Sequence, residues 1–155
     1  MFFHIPLAEA YEDGDRAHRS NAVEVDTYPH GILELGGQNE GAGNAKHSSN
    51  IFSQGIQKAF ELEHGESEVA EVKVLSHGHC HLTDRCRRVS GVWMCFDGGS
   101  SFSGYGSKDF ERRVRIYIVS DWGETITSYK RLVSGNLVDK QVLVGKGAPA
   151  GWGRR

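Results

Sequence analysis

His77-Gly78-His79-Cys80-His81-Leu82-Thr83-Asp84 sets two histidines two positions apart behind a glycine. The stretch follows residues 69–75, which read as a buried strand. Alternate side chains of a strand share a face, and a glycine lets the chain bend sharply as it leaves the sheet. Two imidazoles on such a bend can reach different ions of a close metal pair. That pairing suits phosphate-ester chemistry.

Working outward, residues 1–7 read as an apolar strand closed by Pro6. Residues 8–50 are polar and show no sustained period of 2 or 3.6. A stretch that long without periodicity is expected to be mobile or to serve as a lid. Residues 52–65 place Phe52, Ile56, Ala59 and Phe60 at helical spacing, with Ser53 as N-cap and Gly65 as stop, so a short amphipathic helix is expected there. Three strands follow the histidine turn, over 91–96, 112–119 and 124–132. Asp121-Trp122-Gly123 joins the last two as an antiparallel hairpin. In 112–119, Val114, Ile116 and Ile118 share one face and Arg113, Arg115 and Tyr117 the other. Residues 137–144 add an edge strand, and 145–155 form a flexible tail.

A hydrophobic share of 38% with 20 glycines in 155 residues predicts one domain with a real core and much loop. The net charge of −2 lacks the basic footprint of a nucleic-acid binder. No apolar run nears the roughly 18 residues of a membrane span, and residues 1–7 lack the basic start of a signal peptide. No membrane partner is expected, and a cytoplasmic location is favoured. The odd cysteine count argues against a disulfide framework. Cys86 and Cys95 flank a strand-turn-strand, where they either pair in an oxidising compartment or stay as two buried thiols.

Phe2-Phe3-His4-Ile5-Pro6-Leu7, Gly78-His79-Cys80-His81-Leu82-Thr83-Asp84 and Cys95-Phe96-Asp97-Gly98-Gly99 with Gly104-Tyr105-Gly106 occur in that order, followed by Arg112-Arg113-Val114-Arg115. The combination resembles the calcineurin-like metallophosphoesterase superfamily. It is most similar to fungal cell-cycle and unfolded-protein-response phosphatases and to plant purple-acid-phosphatase-like proteins. The resemblance covers most of residues 1–144, loosely over 8–50. It implies an α+β, α/β-like fold: the C-terminal half of a metallophosphoesterase β-sandwich, with a mixed sheet, one main helix and an antiparallel C-terminal hairpin. Residues 1–144 would be the C-terminal part of that domain, with 8–50 as its lid.

By the same resemblance, His4 and His79 would bind one metal, His81 the other, and Asp84 would orient its neighbours. The cofactors implied are two divalent or trivalent ions (Fe, Zn or Mn), and the substrate a phosphoester or phosphoprotein. Cys80, His77 and Thr83 depart from the residues usual at their positions. The family's Asp-x-His, Gly-Asp-x-x-Asp and Gly-Asn-His blocks do not occur in this chain. Imidazoles alone cannot replace those anionic ligands, so the chain is expected to be inactive by itself. The uncovered face of a half-sandwich would allow a homodimer.

Other readings compete for the same residues. His77, His79, Cys80, His81, Cys86 and Cys95 could form a structural zinc site, although without paired C-x-x-C spacing. Residues 98–106 have the glycine content of a phosphate cradle but no Gly-Lys-[Ser/Thr] ending. Lys73, Arg85, Arg87 and Arg88 read either as an anion-attracting group or as a solvated strand edge. His18, His30, His47 and His64 read as surface residues. The alternative function is a free-standing, non-catalytic β-rich protein that binds a partner or a carbohydrate on this scaffold.

Overall fold

Buried apolar residues fall on both faces of one strand, Val92–Phe96, and the fold is organised around it. The computed structural model describes residues 1–4, 6, 7, 10, 24, 25, 72–89 and 91–149. They form β1 (Phe2–Phe3), β2 (Glu24–Val25), β3 (Val74–His77), β4 (Cys86–Val89), β5 (Val92–Phe96), β6 (Arg113–Ser120), β7 (Thr125–Leu132) and β8 (Leu137–Val144). A five-stranded sheet has the order β1-β3-β5-β4-β2, and a second, three-stranded sheet runs β6-β7-β8. The first is mixed: β1, β3 and β5 are parallel, while β4 and β2 run antiparallel. The second is an antiparallel meander.

Alternation along β5 builds two cores. Val92, Met94 and Phe96 pack with Leu7, Ala10, Leu75 and Cys80 on one side. Trp93 and Cys95 pack with Val74, Cys86, Ile126 and Leu143 on the other, which is the space between the sheets. Each fully buried large apolar side chain contributes about 1.5–3 kcal/mol. The Trp93 Nε1–H donates to the Leu143 carbonyl at 2.6 Å, tying β5 to β8.

Some expectations fall outside the described residues and others are corrected by the structure. No α-helix occurs among the described residues, and the helix expected over 52–65 lies outside them, as do His18, His30, His47 and His64. The first strand spans only Phe2–Phe3. Most of 8–50 is also undescribed, but Glu24–Val25 within it pairs with β4. Of the strand expected over 69–75, residues 69–71 lie outside the described residues, and the described part is Val74–His77, because pairing with β1 and β5 extends to His77. The strands over 91–96, 112–119, 124–132 and 137–144 appear within one residue of expectation.

In β6 the faces are as expected but their orientation goes against hydropathy. Arg113 and Arg115 are buried, whereas Val114 and Ile118 are exposed. The reason is a set of inter-sheet counter-charges. Asp84 Oδ2 accepts from Arg113 Nη1 and Lys130 Nζ, each at 2.8 Å, and all three side chains are fully buried. Lys130 also reaches Asp139 at 3.0 Å, and Arg115 donates to the Asp84 carbonyl and to Ser128 Oγ. Buried cations are tolerated only when paired and hydrogen-bonded. Turning β6 over would remove Arg113 from Asp84 and leave Lys130 as the cation on that buried carboxylate.

Cys86 and Cys95 lie directly opposite one another on β4 and β5 and are joined by a disulfide. Cys80 is buried and not disulfide-bonded. The bridge takes Cys86 and Cys95 out of the proposed structural zinc site. Arg85 and Arg88 are buried rather than at a solvated edge; Arg88 donates to the Pro149 carbonyl and lies over Trp93. Lys73 pairs with Glu124 at 2.8 Å.

Candidate metal centre

The carboxyl ends of the three adjacent parallel strands β1, β3 and β5 open into the loops that carry His4, His79 and Gly98–Gly99. Ligand sites in open sheets gather at such ends. Pairing of Phe3 with His77 sets the chain after β1 beside the chain after β3. His4 and His79 therefore meet although 75 residues separate them, with His4 Nε2 and His79 Nδ1 3.3 Å apart and the rings edge-to-face.

Bending occurs one residue later than the sequence implies. The left-handed φ of 61° falls on His79, a conformation that costs a non-glycine residue about 1 kcal/mol or more. Gly78 is needed for another reason, since a Cβ there would lie 3.1 Å from His4 Nδ1. The glycine makes room for the His4 ring, and the strain at His79 aims its imidazole at that ring.

His81 is held separately. Its ring stacks on Tyr105 at 4.1 Å with an interplanar angle of 6°. Its Nδ1 lies 3.0 Å from the Tyr105 carbonyl. The Tyr105 hydroxyl accepts from the His81 amide and donates to the His79 carbonyl. Arg112 donates to the carbonyls of Tyr105 and Gly104 at 2.7 and 2.6 Å. A Cβ on Gly104 would come within 2.7 Å of His81 Cε1. Glycine-rich residues 98–106 therefore form a collar around His81.

The Asp84 carboxylate serves Arg113 and Lys130 between the sheets. His77 is fully buried, with Nδ1 3.0 Å from the Cys95 carbonyl. Burial pushes its pKa down to about 4, against the backbone hydrogen bond that raises it. It is a neutral core residue at neutral pH. Asp97, next to the site, has its pKa raised by burial, which outweighs the hydrogen bonds from Ser76 and Tyr117 and the charge of Arg115. Tyr105 and Arg112 carry out positioning that motif reading attached to no residue; the clue was a tyrosine between two glycines.

The donor set fits a metal in part. Two nitrogens bound at 2.0–2.1 Å to one tetrahedral ion sit about 3.3 Å apart, which is the His4–His79 separation. A ligating histidine ordinarily donates its other ring N–H to a carbonyl or carboxylate, as the His81–Tyr105 contact provides. Among the described residues, no group of three or more His, Cys, Asp or Glu side chains encloses an ion. Also among them, no helix is long and apolar enough to cross a membrane.

No protein-family model and no solved structure matches the chain. Similar proteins are nonetheless found. Probable inactive purple acid phosphatase 29 of Arabidopsis thaliana is 29% identical over 153 residues, covering 92% of this chain and 33% of the relative. Probable inactive purple acid phosphatase 14 of the same plant is 37% identical over 87 residues, 49% of this chain and 22% of the relative. Phosphatase DCR2 of Saccharomyces cerevisiae is 31% identical over 136 residues, 84% of this chain and 20% of the relative. The chain thus spans between a fifth and a third of the length of these relatives. It is a homologue of the purple-acid-phosphatase-like and DCR2 phosphatases, which are calcineurin-like metallophosphoesterases, and matches them over part of their length.

Proposed function

We propose that this chain supplies the imidazole half of a two-metal phosphomonoesterase centre and corresponds to the C-terminal part of the phosphoesterase sandwich. His4 and His79 would share one ion, and His81 would bind the other. The observation that carries this reading is the 3.3 Å approach of His4 Nε2 to His79 Nδ1. Ions there would supply Lewis-acid polarisation of a phosphoryl oxygen. The chain's own imidazoles would hold the ions, and the collar would keep His81 in place.

A metal centre of this kind also needs anionic ligands, which the described residues do not bring to the histidines. Weak metal binding and no turnover by the chain alone are the expected behaviour. Zn²⁺ or Mn²⁺ titration by calorimetry, together with hydrolysis of p-nitrophenyl phosphate, tests both points. Binding should be lost in His4→Ala and His79→Ala. Undiminished binding in either variant refutes the assignment, and metal-dependent turnover by the wild-type chain refutes the incompleteness.

One observation favours the alternative of a non-catalytic binding protein. Fully exposed Trp122, with exposed Met1, Phe2 and Val119, lines a cavity of about 470 Å³ beside the inter-sheet space. The exposed Val114, Ile118 and Leu137 would likewise serve a homodimer. Sedimentation of Ile118→Lys against wild type separates the dimer from a monomer.

A further inference from the structure

We propose that Tyr105 and Arg112 are positioning residues that hold His81 in its Nδ1–H tautomer, with Nε2 as its ligating atom. The inference rests on the metal reading above for what Nε2 does, but the clamp itself rests on geometry.

The Tyr105 carbonyl can only accept, so His81 Nδ1, 3.0 Å away, must carry the proton. The lone pair of the neutral ring then sits on Nε2. Which nitrogen ligates is set by the hydrogen bond the other makes. Arg112 Nη1 donates to the same carbonyl at 2.7 Å, and Nη2 holds the neighbouring Gly104 carbonyl at 2.6 Å. A carbonyl oxygen has two lone pairs, so Arg112 and His81 share it without competing. The guanidinium fork fixes the carbonyl's direction in a way a single ammonium cannot.

Tyr105 closes the ring on two further sides. Its aromatic face lies parallel to the imidazole at 4.1 Å. Its hydroxyl ties the backbone of His79 to that of His81. One residue thus sets the rotation, the tautomer and the spacing of the two histidines. The glycines beside it are required because a Cβ on Gly104 or Gly106 would strike His81 or Arg112.

The test uses the full chain labelled with ¹⁵N, freed of metal by chelation and held above neutral pH. Long-range ¹H–¹⁵N correlation reads the protonated nitrogen of His81 directly. Wild type should show Nδ1–H. Arg112→Met should move His81 to a mixture dominated by Nε2–H and weaken Zn²⁺ binding roughly ten- to a hundred-fold. Arg112→Lys should recover part of both effects. Tyr105→Phe, which keeps the stack and the carbonyl, should keep the tautomer and lose only affinity.

A wild-type Nε2–H ring, or an Nδ1–H ring unchanged in Arg112→Met, overturns the clamp. Should Arg112→Met fail to fold, Arg112→Lys carries the test, and an unaltered tautomer population overturns the clamp. Failure of wild type to bind Zn²⁺ with the Nδ1–H tautomer intact removes the metal reading and leaves the clamp standing. The two failures are therefore distinguishable.

Discussion

Replacing Asp84 with Asn should destabilise the chain by about 3–5 kcal/mol, the usual cost of removing one partner from a buried ion pair. The structure sets that figure at the upper end for this protein. One carboxylate oxygen serves two cations at 2.8 Å, and Asp84, Arg113 and Lys130 all have fully buried side chains. Asn keeps the shape but removes the charge, which leaves Arg113 and Lys130 facing each other in a low-dielectric space. Asp139, 24% exposed and 3.0 Å from Lys130, is the nearest remaining counter-charge. Because Asp139 is partly solvated, Asp139→Asn should cost only about 1 kcal/mol. Urea denaturation followed by tryptophan fluorescence measures both, against a total stability of about 5–15 kcal/mol typical of a domain. Lys130→Met in the Asp84→Asn background removes one stranded cation. It should recover about 1–3 kcal/mol as a coupling energy, and it provides a folded comparison if the single variant does not fold. Added salt should change the Asp84→Asn difference little, since the pairs are out of reach of screening. A cost for Asp84→Asn no larger than for Asp139→Asn, or absence of coupling to Lys130, would refute the account of the inter-sheet charges.

His77 should make the fold acid-labile. Its pKa falls from an ordinary 6.5 to about 4 in the fold. Between those values the unfolded chain takes a proton that the native state refuses, so stability falls as pH drops through that window, by about 3 kcal/mol. Asp97 opposes this, since its raised pKa makes the native state hold a proton more tightly. The measurement is therefore the difference in acid slope between wild type and His77→Phe, and equal slopes would contradict the assignment. Opening the Cys86–Cys95 bridge, which spans 9 residues of sequence, should lower stability by about 2–3 kcal/mol; reduction followed by urea titration reads it, and an unchanged midpoint counts against it. Gly104→Ala, whose Cβ would meet the His81 ring at 2.7 Å, should weaken Zn²⁺ binding several-fold. Its Tm should move by only a few degrees, so loss of the fold or unchanged affinity would show that the collar is not built as described.

Local patterns in the sequence carried the strands well. Alternation and the turn Asp121-Trp122-Gly123 placed β6, β7 and β8 to within one residue, because side-chain period and turn chemistry are local properties. The order of the motifs also led to the family that the relatives support; His79 and His81 stood out by residue type and spacing, and His4 only through that family resemblance. What each face or side chain met was not legible, because those partners are distant in sequence. Alternation showed that Arg113, Arg115 and Tyr117 share a face, yet hydropathy alone would have turned that face outward. Asp84, 29 residues from Arg113, turns it inward. Cys86 and Cys95 were open to either redox state until antiparallel register set them opposite one another. His4 and His79 meet because β1 and β3 pair in parallel across more than 70 residues, a contact no local period encodes. The sequence by itself determined which residue types were present for metal chemistry and where the C-terminal strands β5 to β8 begin and end. Only the tertiary structure decided which of them meet, because strand register and the pairing of buried charges are properties of the assembled sheets.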